Sequence, residues 1–119
     1  MTKAQQVRSR RMKAMEQDLK KETEKVFSWI LDLIDKATDQ DYFPHSIRMF
    51  LYENDYTLRP IGIKNQEYNL FEVFVKHGRE GFFKKLKKTI DQEEGYTAKL
   101  DLHTTYWDEK ATILEVVIE

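Results

Sequence analysis

The chain has no cysteine, only two prolines and only four glycines among its 119 residues. The missing cysteine excludes thiol catalysis, Cys-ligated zinc and a disulfide framework. Small secreted domains generally need such staples, so a cytoplasmic setting is expected. Four scattered glycines make no phosphate-cradling loop. No run of about 18 apolar residues is present, so no membrane-spanning helix is expected. The opening is basic, like the first part of a signal peptide, but no apolar segment follows it. An excess of either charge is lacking too. With a formal net charge of −1, any affinity for nucleic acid must come from a local patch.

Side chains that carry chemistry are scattered. His45, His77 and His103 fit no metal-ligand spacing. Ser9, Ser28 and Ser46 sit in no nucleophile-elbow context. Acids are plentiful at Asp39 and Asp41, Glu53 and Asp55, Glu72, and Asp91, Glu93 and Glu94. Two of these brought together would hold magnesium for phosphodiester hydrolysis. The nearest suggestion is "FEVFVK", read as a strand with Glu72 and Lys76 on one face, a spacing that a surface ion pair explains better. We therefore expect no enzyme, no cofactor and no metal, with a metal-dependent nuclease as the remote alternative.

What the chain does have is helical period, charge and aromatics. A chain of 119 residues is expected to form one domain and to bury roughly two-thirds of its unfolded surface. Of its fifteen aromatic residues only Phe27 and Trp29 precede Tyr42, so the body should lie mostly in the later two-thirds. Residues 2–38 contain no proline or glycine, and Met12, Leu19, Val26 and Leu33 recur every seven residues with Met15, Trp29, Ile30 and Ala37 beside them. Glu22 and Thr23 interrupt that seam. Before them it is thin; after Lys25, "VFSWILDLI" is apolar around most of the helix, which implies packing against more than one surface. Residues 1–25 are read as a basic, polar helical extension and 26–119 as a single globular α+β domain.

Pro44, after "TDQDYF", breaks the first helix, and "PHSIRMFLYEN" reads as a short second helix with Ile47, Phe50 and Leu51 on one face. "YTLRPIGI" and "YNLFEVFVK" read as a hairpin around "KNQE", with Pro60 marking an edge strand. A helix over residues 69–76 competes for the second of these, because that run is apolar on both faces. Phe82, Phe83, Leu86 and Ile90 share one helical arc, with Gly95 placed to cap its end. "YTAKLDLHTTY", the turn "WDEK" and "ATILEVVIE" make a closing hairpin whose last strand, apolar on both faces, should be central. The expected fold is α+β: a long N-terminal helix, a short second helix, then ββαββ with a four-stranded, mainly antiparallel sheet in the order 1-2-4-3.

Two features bear on function. The opening "KAQQVRSRRMKAM" carries Lys3, Arg8, Arg10, Arg11 and Lys13 with no acid before Glu16. These cations circle the helix, with no aromatic interleaved for base stacking. A solvated helix start explains them, and a contact to nucleic acid or to an acidic protein is the functional alternative. Lys84 and Lys88, with Lys85 and Lys87, form a second basic row, where an amphipathic helix puts charge in any case. The second feature is apolar. Val26, Trp29, Ile30 and Leu33 are core or a dimer seam, and Tyr106 and Trp107 at a hairpin tip close the core or meet a partner, since such aromatics dominate interface hot spots.

In its length, dense charge, absent cysteine and many aromatics the chain resembles accessory proteins of phages and mobile elements, a compositional likeness carried by no motif. The expected function is a non-catalytic interaction protein of regulator or inhibitor type, homodimeric through Val26, Trp29, Ile30 and Leu33. The alternative is nucleic-acid binding through Arg8, Arg10, Arg11 and Lys13, with Lys84 and Lys88 alongside.

Overall fold

A computed structural model describes residues 2–39 and 44–119, so the helix break expected at 40–43 and the acid Asp41 lie outside the described residues. The first helix, α1 (Lys3–Asp39), runs 37 residues, about 55 Å at 1.5 Å per residue. It therefore sets the long axis of a molecule measuring 59 × 34 × 21 Å. Its start is held by a reciprocal cap. The Gln5 amide donates to Thr2 Oγ1 at 3.2 Å, and the Thr2 amide donates to Gln5 Oε1 at 2.8 Å, which satisfies donors the first turn leaves free.

The remaining elements are β1 (Ser46–Tyr52), β2 (Thr57–Pro60), β3 (Tyr68–Asn69), α2 (Phe71–His77), α3 (Arg79–Asp91), β4 (Tyr96–Tyr106) and β5 (Glu109–Ile118). They form an α+β fold with a five-stranded antiparallel sheet in the order β3-β2-β1-β5-β4. The helices cover one face. Val26, Ile30 and Leu33 of α1 and Phe82, Phe83, Leu86 and Ile90 of α3 bury against Met49, Leu51, Leu58, Leu114 and Val116 of the sheet. Thr23, the polar interruption of the seam, is fully buried yet satisfied, donating to Lys20 O and accepting from Thr89.

Several expectations are corrected. The sheet has five strands, because "SIRMFLY" is not a short second helix but β1. Its Ile47, Met49 and Leu51 alternate inward, and all seven residues pair with β5, from Ser46↔Val117 to Tyr52↔Ala111. That ladder gives β5 the second neighbour its two apolar faces require, and it replaces the order 1-2-4-3. The run "YNLFEVFVK" is mostly helix: only Tyr68 and Asn69 pair with β2, and the Asn69 side chain accepts from the Phe71 amide to start α2. The strand with Pro60 is not at the rim, because β3 lies outside it. Pro60 is tolerated because β3 pairs only at Thr57 and Leu58, so no partner strand awaits an N–H from Pro60 on that side. Gly95 does not cap α3, which ends at Asp91; its φ of 90° serves the turn that enters β4. Gly78, at φ 79°, breaks α2 from α3.

Candidate interaction surface

The interaction residues read from the sequence separate once folded. Val26, Ile30 and Leu33 are fully buried in the chain's own core, so the dimer seam expected there is corrected: the sheet and α3 already cover it. Trp29 is only half-buried and tilts against Tyr68, ring centroids 5.5 Å apart.

The first half of α1 behaves differently. Arg8, Arg10, Arg11 and Lys13 are all exposed, and among the described residues none is ion-paired. Met12 and Met15 continue the seam at 63% and 42% exposure. This arm meets the body at Asp18, whose Oδ2 lies 2.7 Å from His77 Nε2 and 3.8 Å from Lys76 Nζ. The His77 hydrogen bond, aided by Lys76, holds the Asp18 carboxyl below its ordinary range. Lys84 pairs loosely with Glu80 at 4.0 Å and Lys88 is exposed.

The β4–β5 turn is the second exposed feature. On the sheet face away from the helices, Phe50, Tyr52 and Tyr106 cluster at centroid distances of 4.9–6.2 Å, Phe50 edge-on to Tyr52 and Tyr106 tilted against both. Trp107 stands on Tyr106 at 6.1 Å with 79% of its surface exposed. It also sits at φ 52°, followed by Asp108 at φ 63°, a two-residue turn whose backbone favours Asn-Gly. A bulky aromatic in the left-handed region is an outlier that costs about 1–2 kcal/mol.

A third patch, Tyr56, Phe71 and Val75, was not read from the sequence. Phe71 packs edge-on to Tyr56 at 5.0 Å, and Val75, one turn along, is 71% exposed. The signal was the run that is apolar on both faces: as a helix docked through Val73 and Phe74, it must leave Phe71 and Val75 outside.

A chain of contacts links the arm to the hairpin tip. From the arm's root at Asp18, His77 leads to Arg79, whose guanidinium donates to the carbonyl oxygens of Tyr52 (3.2 Å), Glu53 (2.6 Å) and Asp55 (2.8 Å). Tyr52 in turn packs against Tyr106, next to Trp107. Arg79 also lies over the Phe74 ring at 5.2 Å, so it ties the β1–β2 turn to the α2–α3 elbow.

Among the described residues, the sequence's candidate acids do not come together into a metal-holding group. Glu72 and Lys76 lie on α2, not on a strand face, and Lys76 turns to Asp18. His103 approaches Glu80 at 3.4 Å, whereas His77 pairs with Asp18. Among the described residues no group of three His, Cys, Asp or Glu is placed to hold a metal, and no helix is long and apolar enough to cross a membrane. No family model matches the chain, nor does any curated protein or solved structure.

Proposed function

We propose that this chain is a non-catalytic interaction protein that acts by occupying a surface of another protein, as a regulator or inhibitor does. Trp107 carries the reading. It is the most exposed large apolar side chain described, and it is held in a backbone conformation that disfavours it. Strain retained at an exposed residue points to function, because the fold gains nothing from it. The flanking Tyr106 packs against it, and the exposed Tyr56, Phe71 and Val75 offer further apolar surface, of the kind that surrounds a tryptophan anchor. The absent cysteine favours a reducing compartment, the cytoplasm.

The test is affinity capture from the native cell with wild type, Trp107→Ala and Phe71→Ser as baits. The expected result is one protein recovered in stoichiometric amount by wild type and lost with Trp107→Ala, whose melting temperature is unchanged. A recovered set that neither substitution alters would overturn the reading.

One observation favours a second reading, nucleic-acid contact: the arm's four cations, Arg8, Arg10, Arg11 and Lys13, are exposed and unpaired among the described residues. If they meet phosphates, affinity should fall with a log–log salt slope of about −0.9 per contact. A low-salt gel shift comparing wild type with the triple reversal Arg8→Glu, Arg10→Glu, Arg11→Glu decides it, and equal binding by both removes the idea.

A further inference from the structure

The geometry points to a second copy of this chain as the occupant of the exposed arm, crossing it antiparallel with the two-fold axis between Met12 and Met15. This does not depend on what Trp107 binds. Three observations carry it. The heptad seam that buries Leu33 and Val26 and half-buries Leu19 keeps its register past Glu22 and Thr23 into Met15 and Met12, which none of the described residues buries. The helix is well formed there and capped at Thr2, although an isolated helix with little apolar support is only marginally stable in water. The third observation is charge.

Every charge before Glu16 is positive, whereas over the next nine residues the acids Glu16, Asp18, Glu22 and Glu24 outnumber Lys20 and Lys21. Counted at about 100° per residue, Arg8 falls in the seam and Arg11 flanks it, while Asp18 and Glu22 flank the same side nearer the body. A parallel pair would set Arg8 against Arg8 in the seam and would leave Arg11 and the other copy's Asp18 on opposite sides of it. Reversing one helix about the Met12–Met15 centre sets each Arg11 beside Asp18 of the other copy. Asp18 is ready for this: its side chain is 38% exposed, and its contacts to His77 and Lys76 both use Oδ2. The contact is isologous, since the same patch serves both copies. Its core is Met12 against Met15, twice, inside a ring of opposite charge that selects direction and salt sensitivity more than raw affinity.

The absence of cysteine makes the test clean. Chains carrying Met12→Cys and Met15→Cys, mixed in equal amounts and oxidised under mild conditions, should form the mixed 12–15 disulfide in clear excess over either self-linked product. Sedimentation of the unmodified chain should show a dimer that weakens about tenfold as salt is raised enough to shorten the Debye length from roughly 10 Å to 3 Å. Met12→Glu together with Met15→Glu should return a monomer whose body melts as the wild type does and whose helical far-UV signal falls by no more than the arm contributes. Self-linked products in excess would mean parallel pairing and overturn the proposal. So would a strict monomer at about 100 μM in low salt, where even a Kd at the micromolar level would show; if that monomer shifts a DNA duplex, the arm's occupant is phosphate instead.

Discussion

The two halves of α1 share one helix, one seam and one heptad register, yet differ in almost everything that matters energetically. From Leu19 onward the seam is roofed by the sheet and α3, and Val26, Ile30 and Leu33 lose all contact with solvent. Before Asp18 the same positions hold Met12 and Met15 in water. A hydrophobic period therefore shows which face of a helix is meant to be covered, and leaves open what covers it. The border falls at Asp18, where His77 and Lys76 close on the helix.

The comparison is most directly broken in the roofed half. Leu33→Ala should lose about 3 kcal/mol, by transfer and cavity terms together, whereas Met12→Ala at low protein concentration should stay within about 0.5 kcal/mol. Urea denaturation of both variants checks the contrast; equal losses would mean that the arm is part of the monomer's core. Next comes the joint between the regions. Arg79→Ala removes three charge-assisted contacts to the Tyr52, Glu53 and Asp55 carbonyls. It should cost about 2 kcal/mol and raise amide exchange in the β1–β2 turn before it does so elsewhere.

The hairpin tip sharpens the same contrast with the opposite sign. Trp107→Asn relieves a left-handed aromatic and should stabilise the chain by about 1 kcal/mol while abolishing partner capture; a lower melting temperature would show that Trp107 serves the fold. Acid gives a smaller effect. Asp18, held low first by its His77 hydrogen bond, and Glu115, held low first by Arg48, both have pKa values below their ordinary 3.8 and 4.5. Folded-state pKa values below the unfolded ones add stability that is complete above those ordinary values and is lost as pH falls through the depressed ones. Stability measured from pH 6 downward should therefore hold to about pH 4.5 and decline below it, and Glu115→Gln should flatten the decline. A decline that begins near pH 6 would point to histidine instead.

Several elements were legible because one reading of their pattern dominates. α1 has no helix breaker across its length, α3 places Phe82, Phe83, Leu86 and Ile90 on one arc, and β4 alternates. β1 was not legible. In seven residues Ile47, Phe50 and Leu51 fit a helix as well as Ile47, Met49 and Leu51 fit a strand, and only the ladder to β5 separates the two. The stretch after Asn69 was apolar on both faces, and its helix won because Val73 and Phe74 could reach the core while Phe71 and Val75 stayed out. Of the candidate surface, the tip aromatic and the bare cations were visible in advance, because turn chemistry and local charge balance are short-range. The Tyr56, Phe71 and Val75 patch joins residues from two elements and was not.

The β4 edge shows how far side-chain detail can go beyond pattern. Asp91 accepts from the Ala98 amide at 2.8 Å and Lys87 donates to the Ala98 carbonyl at 2.9 Å, so a helical ion pair occupies the place of a neighbouring strand. Exposed edges invite pairing with other chains, and here one position of the edge is blocked from within the same chain.

The residue order alone determined the class of fold, the long first helix, the closing hairpin and the lack of thiol chemistry, because periodicity, turn propensity and composition act over a few neighbouring residues. Only the tertiary structure decided that Val26, Ile30 and Leu33 are interior while Met12 and Met15 are not. Burial depends on which distant segments arrive overhead, and among the described residues the sheet, α2 and α3, supplied by the last two-thirds of the chain, reach back along α1 to Asp18, where α2 supplies His77 and Lys76.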